Sequence, residues 1–257
     1  MLKREEPHIV VKDLTISYGD NVIQHDLSFA INRGDIFIIM GPSGCGKSTL
    51  LRSMIGLLRP AKGQVLYDGV SFWDADPDEQ KSIMKKFGVL YQGGALWSSY
   101  TLAENVALPL QESTDLKPAQ IREIVSFNLS LVGLSGFEDY YPAEISGGMK
   151  KRAGLARALA LDPDILFFDE PSAGLDPISA HLLDELLIEL STSLGATIVV
   201  VTHELASLFA IGNNAVFLDE AIRTMIATGH PKELLATSRD PKVINFLTRG
   251  EGEPGRK

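Results

Sequence analysis

Cysteine is almost absent from this chain of 257 residues, and the one present, Cys45, has no internal partner for a disulfide. That excludes a disulfide-stapled scaffold and is compatible with a reducing compartment. Positive charge is also short: 24 Lys and Arg stand against 33 Asp and Glu, for a formal net charge of -9. Binding along a nucleic-acid backbone needs basic residues in excess on one face, so nucleic acid is not an expected partner. Long apolar runs are missing as well. The opening stretch MLKREEPHIVV lacks the apolar segment of roughly 7 to 15 residues that a signal peptide carries. Runs such as Ile198–Val201 fall far short of the ~18 residues that cross a bilayer. Any membrane role is therefore expected to come through a partner.

What is present fits one ordinary domain, with 45% hydrophobic and 22% charged residues. A single α/β domain of this size buries about 70 to 75% of its unfolded surface and needs no staple. Residues 1–248 read as that domain, and 249–257, rich in Gly, Glu, Pro and basic residues, as a flexible tail. From Ile9 to Ile31, apolar and polar residues alternate around Tyr18-Gly19-Asp20-Asn21, the pattern of an antiparallel hairpin. After Gly34 the pattern changes to a short apolar run ending at Met40, a glycine loop, and helix formers from Ser48 to Leu58. Ile165–Phe168 and Thr197–Val201 lack alternation, as strands buried on both faces of a parallel sheet do. Leu102 to Gly136 has helical periodicity interrupted by Pro109 and Pro118, and reads as an inserted helical subdomain.

Two motifs carry chemistry. Gly41-Pro42-Ser43-Gly44-Cys45-Gly46-Lys47-Ser48-Thr49 fits G-x-x-x-x-G-K-[ST] between a strand and a helix. Glycines there let backbone N–H groups converge on phosphates, and the helix N-terminus adds its positive dipole end. Lys47 is expected at the β- and γ-phosphates and Ser48 at Mg²⁺. Second, the apolar run from Ile165 ends in Asp169-Glu170. Two carboxylates at the end of a buried strand are costly unless a cation faces them. Asp169 would hold Mg²⁺ through water, and Glu170 would orient or deprotonate the attacking water; the bland alternative is a helix cap.

With Ile145-Ser146-Gly147-Gly148-Met149-Lys150-Lys151-Arg152 lying between these motifs, nearly the whole chain resembles the nucleotide-binding subunit of an ABC transporter. The resemblance implies that Ser146, Gly147, Gly148 and Met149 form the signature motif, which closes on the ATP held by the opposite subunit. It makes Gln92 the glutamine that senses Mg²⁺ and the membrane subunit, and Tyr18 the aromatic that stacks on adenine. Within Ser172-Ala173-Gly174-Leu175-Asp176, it gives Asp176 the coupling of two ATP sites, and it makes His203 the histidine at the γ-phosphate. Met149 stands where the common signature has glutamine, and Ile145 where it has leucine. That departure, with the stretches Phe87–Ser99 and Thr101–Leu110, resembles the Mla subgroup, whose ATPases drive lipid transport with MCE-type partners.

The implied fold is an α/β P-loop NTPase core of the ABC ATPase type, with an N-terminal antiparallel β-subdomain and an α-helical subdomain inserted at about residues 100–160. The implied activity is ATP hydrolysis, with ATP and Mg²⁺ as cofactors and with Lys47, Gln92, Glu170 and His203 as catalytic residues. Ser48, Gln92 and Asp169 would serve the metal. A homodimer would work with a multi-span permease, an MCE-domain substrate-binding protein and a small accessory subunit, moving phospholipid between inner and outer membranes from the cytoplasmic face of the inner membrane. Leu96, Trp97 and Tyr100, apolar residues on an expected loop, mark either the dock for the membrane subunit or plain subdomain packing. Alternatives are an importer ATPase for another solute and a soluble ABC ATPase of iron–sulfur assembly.

Overall fold

The computed structural model describes residues 7–250. It opens with the expected hairpin, β1 (Ile9–Tyr18) and β2 (Asn21–Ile31), paired antiparallel. Its alternation slips at Asp13 and Asp26, which adopt positive φ beside shifts in register. The Ser28 hydroxyl fixes the first slip by accepting from Asp13 N at 2.8 Å and donating to Asp13 Oδ1 at 3.0 Å. The slip keeps Val11 and Leu14 both inward despite a spacing of three.

Next come β3 (Ile36–Met40), α1 (Lys47–Met54), β4 (Lys62–Tyr67), β5 (Val70–Ser71), α2 (Pro77–Met84) and β6 (Phe87–Leu90). α1 stops four residues short of the expected Leu58, because Gly56 turns to φ +83 and the N–H groups of Leu57 and Leu58 both return to the Arg52 carbonyl. α3 (Leu102–Ser113) and α4 (Pro118–Leu131) follow. Pro109 does not interrupt α3 as expected; the helix runs through it. A helix-interior proline costs about 3 kcal/mol. Here the buried stripe Leu102, Val106, Leu110 and a Thr101–Glu104 capping box hold the helix on both sides of it. Pro118 takes the first position of α4, where a missing N–H is harmless.

A 3₁₀ turn at Pro142–Glu144 leads into α5 (Gly147–Ala158), β7 (Ile165–Asp169), α6 (Pro177–Leu194), β8 (Thr197–Val201), α7 (Leu205–Ile211), β9 (Asn214–Leu218), β10 (Met225–Thr228), α8 (Pro231–Thr237) and α9 (Pro241–Leu247). Arg249 and Gly250 turn back onto the end of α9, while the rest of the expected tail lies outside the described residues.

Two sheets result. One is antiparallel, in the order β2-β1-β4-β5; the other has the order β10-β9-β3-β8-β7-β6, parallel except for the edge strand β10. β3, at the interior of the larger sheet, is buried at all five positions. Its side chains alternate between two cores. Ile36, Ile38 and Met40 join the core under α3 to α7, while Phe37 and Ile39 join the one under α1 and the antiparallel sheet. This is why the strand lacks an apolar–polar alternation: both faces are inside. Parallel pairing then brings the carboxyl ends of β3, β6, β7 and β8 to one edge, where a ligand crevice forms in open α/β sheets.

Candidate nucleotide and hydrolysis site

The glycine loop leaves β3 at Gly41, whose φ is +146; a Cβ there would lie 2.4 Å from the Leu218 carbonyl oxygen on β9. Gly46, at φ +100, is the residue from which α1 starts. No side chain caps α1, so its first N–H groups are left for an anion. Lys47 is buried, and its ammonium donates to the Gly41 and Pro42 carbonyls, both at 2.9 Å. The Ser48 hydroxyl donates to Asp169 Oδ1 at 2.8 Å, which joins the first turn of α1 to the end of β7. Ser43 and Gly44 are exposed at the tip, and Thr49 continues α1.

Cys45 is buried rather than open, and burial pushes its thiol pKa up against the opposing pull of Lys47. Its carbonyl is held by a residue the motif does not include. Gln24 of β2, fully buried, donates through Nε2 to Cys45 O at 2.6 Å and to Asp219 O at 3.0 Å. The Gln24 Oε1 has no partner among the described residues. Nothing in the sequence singles it out, since Gln24 is one of several polar residues in β2, followed directly by His25 and Asp26.

The second group forms where β7 and β8 end side by side. Asp169 pairs with Val201 in the parallel ladder, and Glu170 N donates to Val201 O at 2.9 Å. Glu170 has φ 51, a left-handed conformation costing a non-glycine residue about 1–2 kcal/mol. That turn brings its Oε1 within 2.7 Å of His203 Nδ1, two residues beyond β8. A carboxylate only accepts, so the imidazole carries its proton on Nδ1 and donates. Glu170 Oε2 is buried and lacks a partner among the described residues.

The remaining candidates lie apart from these two groups. Tyr18 is half exposed at the hairpin, and its hydroxyl accepts from Arg52 Nη1 of α1 at 3.4 Å. Gln92 is exposed in the turn after β6. Arg157 of α5 pins this turn, donating to Ala95 O at 2.7 Å and Gly94 O at 3.0 Å. Ser146 caps α5, accepting from Met149 N at 3.2 Å, and Gly147 is exposed. A Cβ on Gly148 would touch Ser179 Oγ at 3.5 Å and Leu175 Cδ2 at 3.6 Å. Asp176 caps α6; the Ser179 hydroxyl, donating at 2.6 Å, and the Ser179 and Ile178 N–H groups hold its carboxyl below the usual range. For Ser146 and Asp176, therefore, the helix-cap role is present in the single chain.

Of the three loop residues, Leu96 packs on the core whereas Trp97 is 58% and Tyr100 39% exposed. Buried Asn105 of α3 fixes their backbone, accepting from Trp97 N at 2.7 Å and donating to the Trp97, Tyr100 and Thr101 carbonyls. An open groove of about 710 Å³ runs between α3 and α4, away from the glycine loop.

A glycine loop feeding a helix, a lysine folded over it, and Ser–Asp and Glu–His pairs at adjacent strand ends define a P-loop ATPase. The comparisons narrow the class: residues 24–173 match the ABC transporter family, and the chain belongs to it. It is 42% identical over 95% of its length to the intermembrane phospholipid transport ATP-binding protein MlaF of Haemophilus influenzae, covering 91% of that protein. It is 39% identical over 92% of its length to MlaF of Escherichia coli K12, covering 87% of it. It is 45% identical over 93% to a protein of Mycobacterium leprae named as a probable ribonucleotide transport ATP-binding protein, spanning 68% of that longer chain. Among solved structures, the dimeric ATP-binding cassette MJ0796 with ADP and Pi superposes with a TM-score of 0.79 at 30% identity, covering 86% of this chain and 98% of that one. CbiO1 of Clostridium perfringens, part of an ABC transporter complex, gives 0.82 at 29% identity, covering 95% and 96%. The expected fold and ATP-hydrolysing activity are thereby borne out. No helix among the described residues is long and apolar enough to cross a membrane.

Proposed function

We propose that this chain is the ATPase of a lipid exporter or importer of the Mla kind, working as a homodimer on the cytoplasmic face of the inner membrane. The observation that carries the hydrolytic reading is the Glu170–His203 pair: one carboxylate oxygen is held at 2.7 Å by the imidazole and the other is buried without a donor among the described residues. A water in line with the γ-phosphate is the donor that oxygen lacks. Glu170 orients it and takes its proton, while His203 keeps the carboxylate in place from beside the phosphate. Lys47 releases the loop carbonyls for the β- and γ-phosphates, and Tyr18 stacks on the adenine. The partner copy's signature residues, equivalent to Ser146, Gly147, Gly148 and Met149, complete each site, and Asp176 couples the pair.

The Ser48 hydroxyl and Asp169 carboxylate, 2.8 Å apart, are the hard oxygen donors Mg²⁺ prefers, with few protein ligands beside phosphates. These two, with Gln92, would hold it. When bound, the ion supplies positive charge to the phosphoryl oxygens.

Phospholipid cargo is supported by likeness to MlaF over nearly the full length of both chains. The mycobacterial relative's name supports the second reading, another solute. In either case the load lies in partners: a multi-span permease docked at Trp97 and Tyr100, with an MCE-domain protein and a small subunit for lipid. Affinity purification from detergent-solubilised membranes, with mass spectrometry of proteins and lipids, tests this. A permease with an MCE-domain protein and phospholipid is expected. A permease with a different solute-binding protein moves the cargo to the second reading, and recovery of no permease refutes both.

A further inference from the structure

Lys151 lies in the first turns of α5, two residues beyond the signature glycines' neighbour Met149, and its side chain turns inward. It is only 6% exposed, and no carboxylate comes within salt-bridge distance of it among the described residues. Its ammonium donates instead to three backbone carbonyls: Pro171 at 2.7 Å, Ala173 at 2.5 Å and Glu170 at 3.4 Å. An ammonium has three N–H bonds, and here each has an acceptor. A buried cation is expensive, the Glu170 carboxylate offsets only part of that cost, and hydrogen bonds from charged donors are worth more than neutral ones. The segment it grips is therefore held firmly.

That segment is the one on which the chemistry depends. It begins at Glu170, whose left-handed backbone aims the carboxylate at His203, and runs into the loop that ends at Asp176. A second contact repeats the link. Gly148 approaches Leu175 and Ser179 so closely that a Cβ would already be in van der Waals contact. The start of α5 and residues 170–179 thus form one packed unit.

We propose that Lys151 is a positioning residue that ties the signature helix to Glu170 and to the loop before α6, so that movement of α5 is transmitted to the hydrolytic carboxylate. The proposal deepens the hydrolysis reading above and rests on it. Lys151 touches no phosphate; it acts by holding the Glu170–Ala173 backbone. Replacing it leaves the glycine loop, with Lys47 and Ser48, unchanged. Its removal lowers turnover while nucleotide affinity stays.

The test uses the full chain as Lys151→Met, which keeps the stem and removes every donor, and Lys151→Arg, which restores donors. Nucleotide affinity is read with a fluorescent ATP analogue in EDTA, turnover by steady-state phosphate release, and folding by thermal unfolding. Lys151→Met is expected to lose at least about 30-fold in kcat with the dissociation constant within about threefold of wild type. Lys151→Arg is expected to regain at least about a third of wild-type kcat. Wild-type kcat in Lys151→Met overturns the proposal. So does a loss that only tracks the unfolded fraction, or a Lys151→Arg no better than Lys151→Met. Glu170→Gln run alongside separates the two readings. If it turns over normally, the hydrolysis reading fails; if it is inactive while Lys151→Met is fully active, only the role of Lys151 fails.

Discussion

Gly41 and Gly44 sit three residues apart in the same loop, both at positive φ, yet alanine should cost very different amounts at the two. At Gly44 a Cβ meets nothing within 4 Å, so only the backbone conformation, φ +85, resists. That is about 1–2 kcal/mol. At Gly41 the Cβ would lie 2.4 Å from Leu218 O and 2.9 Å from Cys45 Sγ, and the first of these is the backbone of a core strand. Overpacking of this kind adds about 1–3 kcal/mol to the conformational cost, for a total of about 2–5 kcal/mol. For a domain of this size 1 kcal/mol moves Tm by about 2–4 °C, so Gly41→Ala should melt about 4–20 °C lower and Gly44→Ala about 2–8 °C lower. Relieving the overlap means moving Gly41 off β9, which displaces the loop backbone whose N–H groups are to meet the phosphates. Gly41→Ala should therefore also bind ATP at least about tenfold more weakly, a loss of about 1.4 kcal/mol. Differential scanning calorimetry and equilibrium nucleotide binding on both variants decide it. Equal shifts, or a larger loss at Gly44, would show that the Gly41–Leu218 approach does not shape the loop.

Cys45 gives a chemical probe of the same loop. Being buried with a raised pKa, it should alkylate at neutral pH at least about tenfold more slowly than in denatured protein, and still more slowly with ATP bound. Labelling indifferent to ATP would remove the nucleotide from this loop. Trp97→Glu should weaken association with the membrane subunit at least about 30-fold, as loss of an interface hot spot of about 2 kcal/mol would, while Asn105 keeps the loop folded. Co-purification at wild-type yield would rule that surface out.

The strand pattern could be read directly because it is set by burial on two faces. β3, β7 and β8 are apolar at nearly every position because alternate side chains enter different cores. The glycine loop was legible for a related reason: phosphates demand a particular backbone, and that backbone demands glycines. Pro109 misled because tertiary packing outweighs one helix-breaking residue when Leu102, Val106 and Leu110 all face a core. Gln24, Arg157 and Lys151 were not legible as functional. Each donates to main-chain carbonyls of another segment, and since every residue has such a carbonyl, the sequence of the accepting segment carries no mark of the bond. Leu96 and Trp97 are adjacent and alike in apolar character, and which of them points into the core follows from a backbone gripped by Arg157 at Ala95 and by Asn105 at Trp97.

The Glu170–His203 contact follows from register rather than from either residue alone. In the parallel pair of β7 and β8, Asp169 lies opposite Val201, so one step past each strand the chains are still side by side, and a left-handed turn at Glu170 reaches the imidazole. If His203 works through that bond, its removal should matter less once Glu170 can no longer act as base. Glu170→Gln alone should lower single-turnover hydrolysis by about 10²–10⁴-fold, the usual worth of general acid–base catalysis. His203→Ala in the wild-type background both frees the carboxylate and removes a phosphate contact; in the Glu170→Gln background only the second effect remains. The double-mutant cycle should then show a coupling of at least about 1 kcal/mol, within the range of about 0.5–3 kcal/mol that contacting residues give. Effects that add to within about 0.5 kcal/mol would mean that the imidazole serves the phosphate alone and that the 2.7 Å bond does not orient the base.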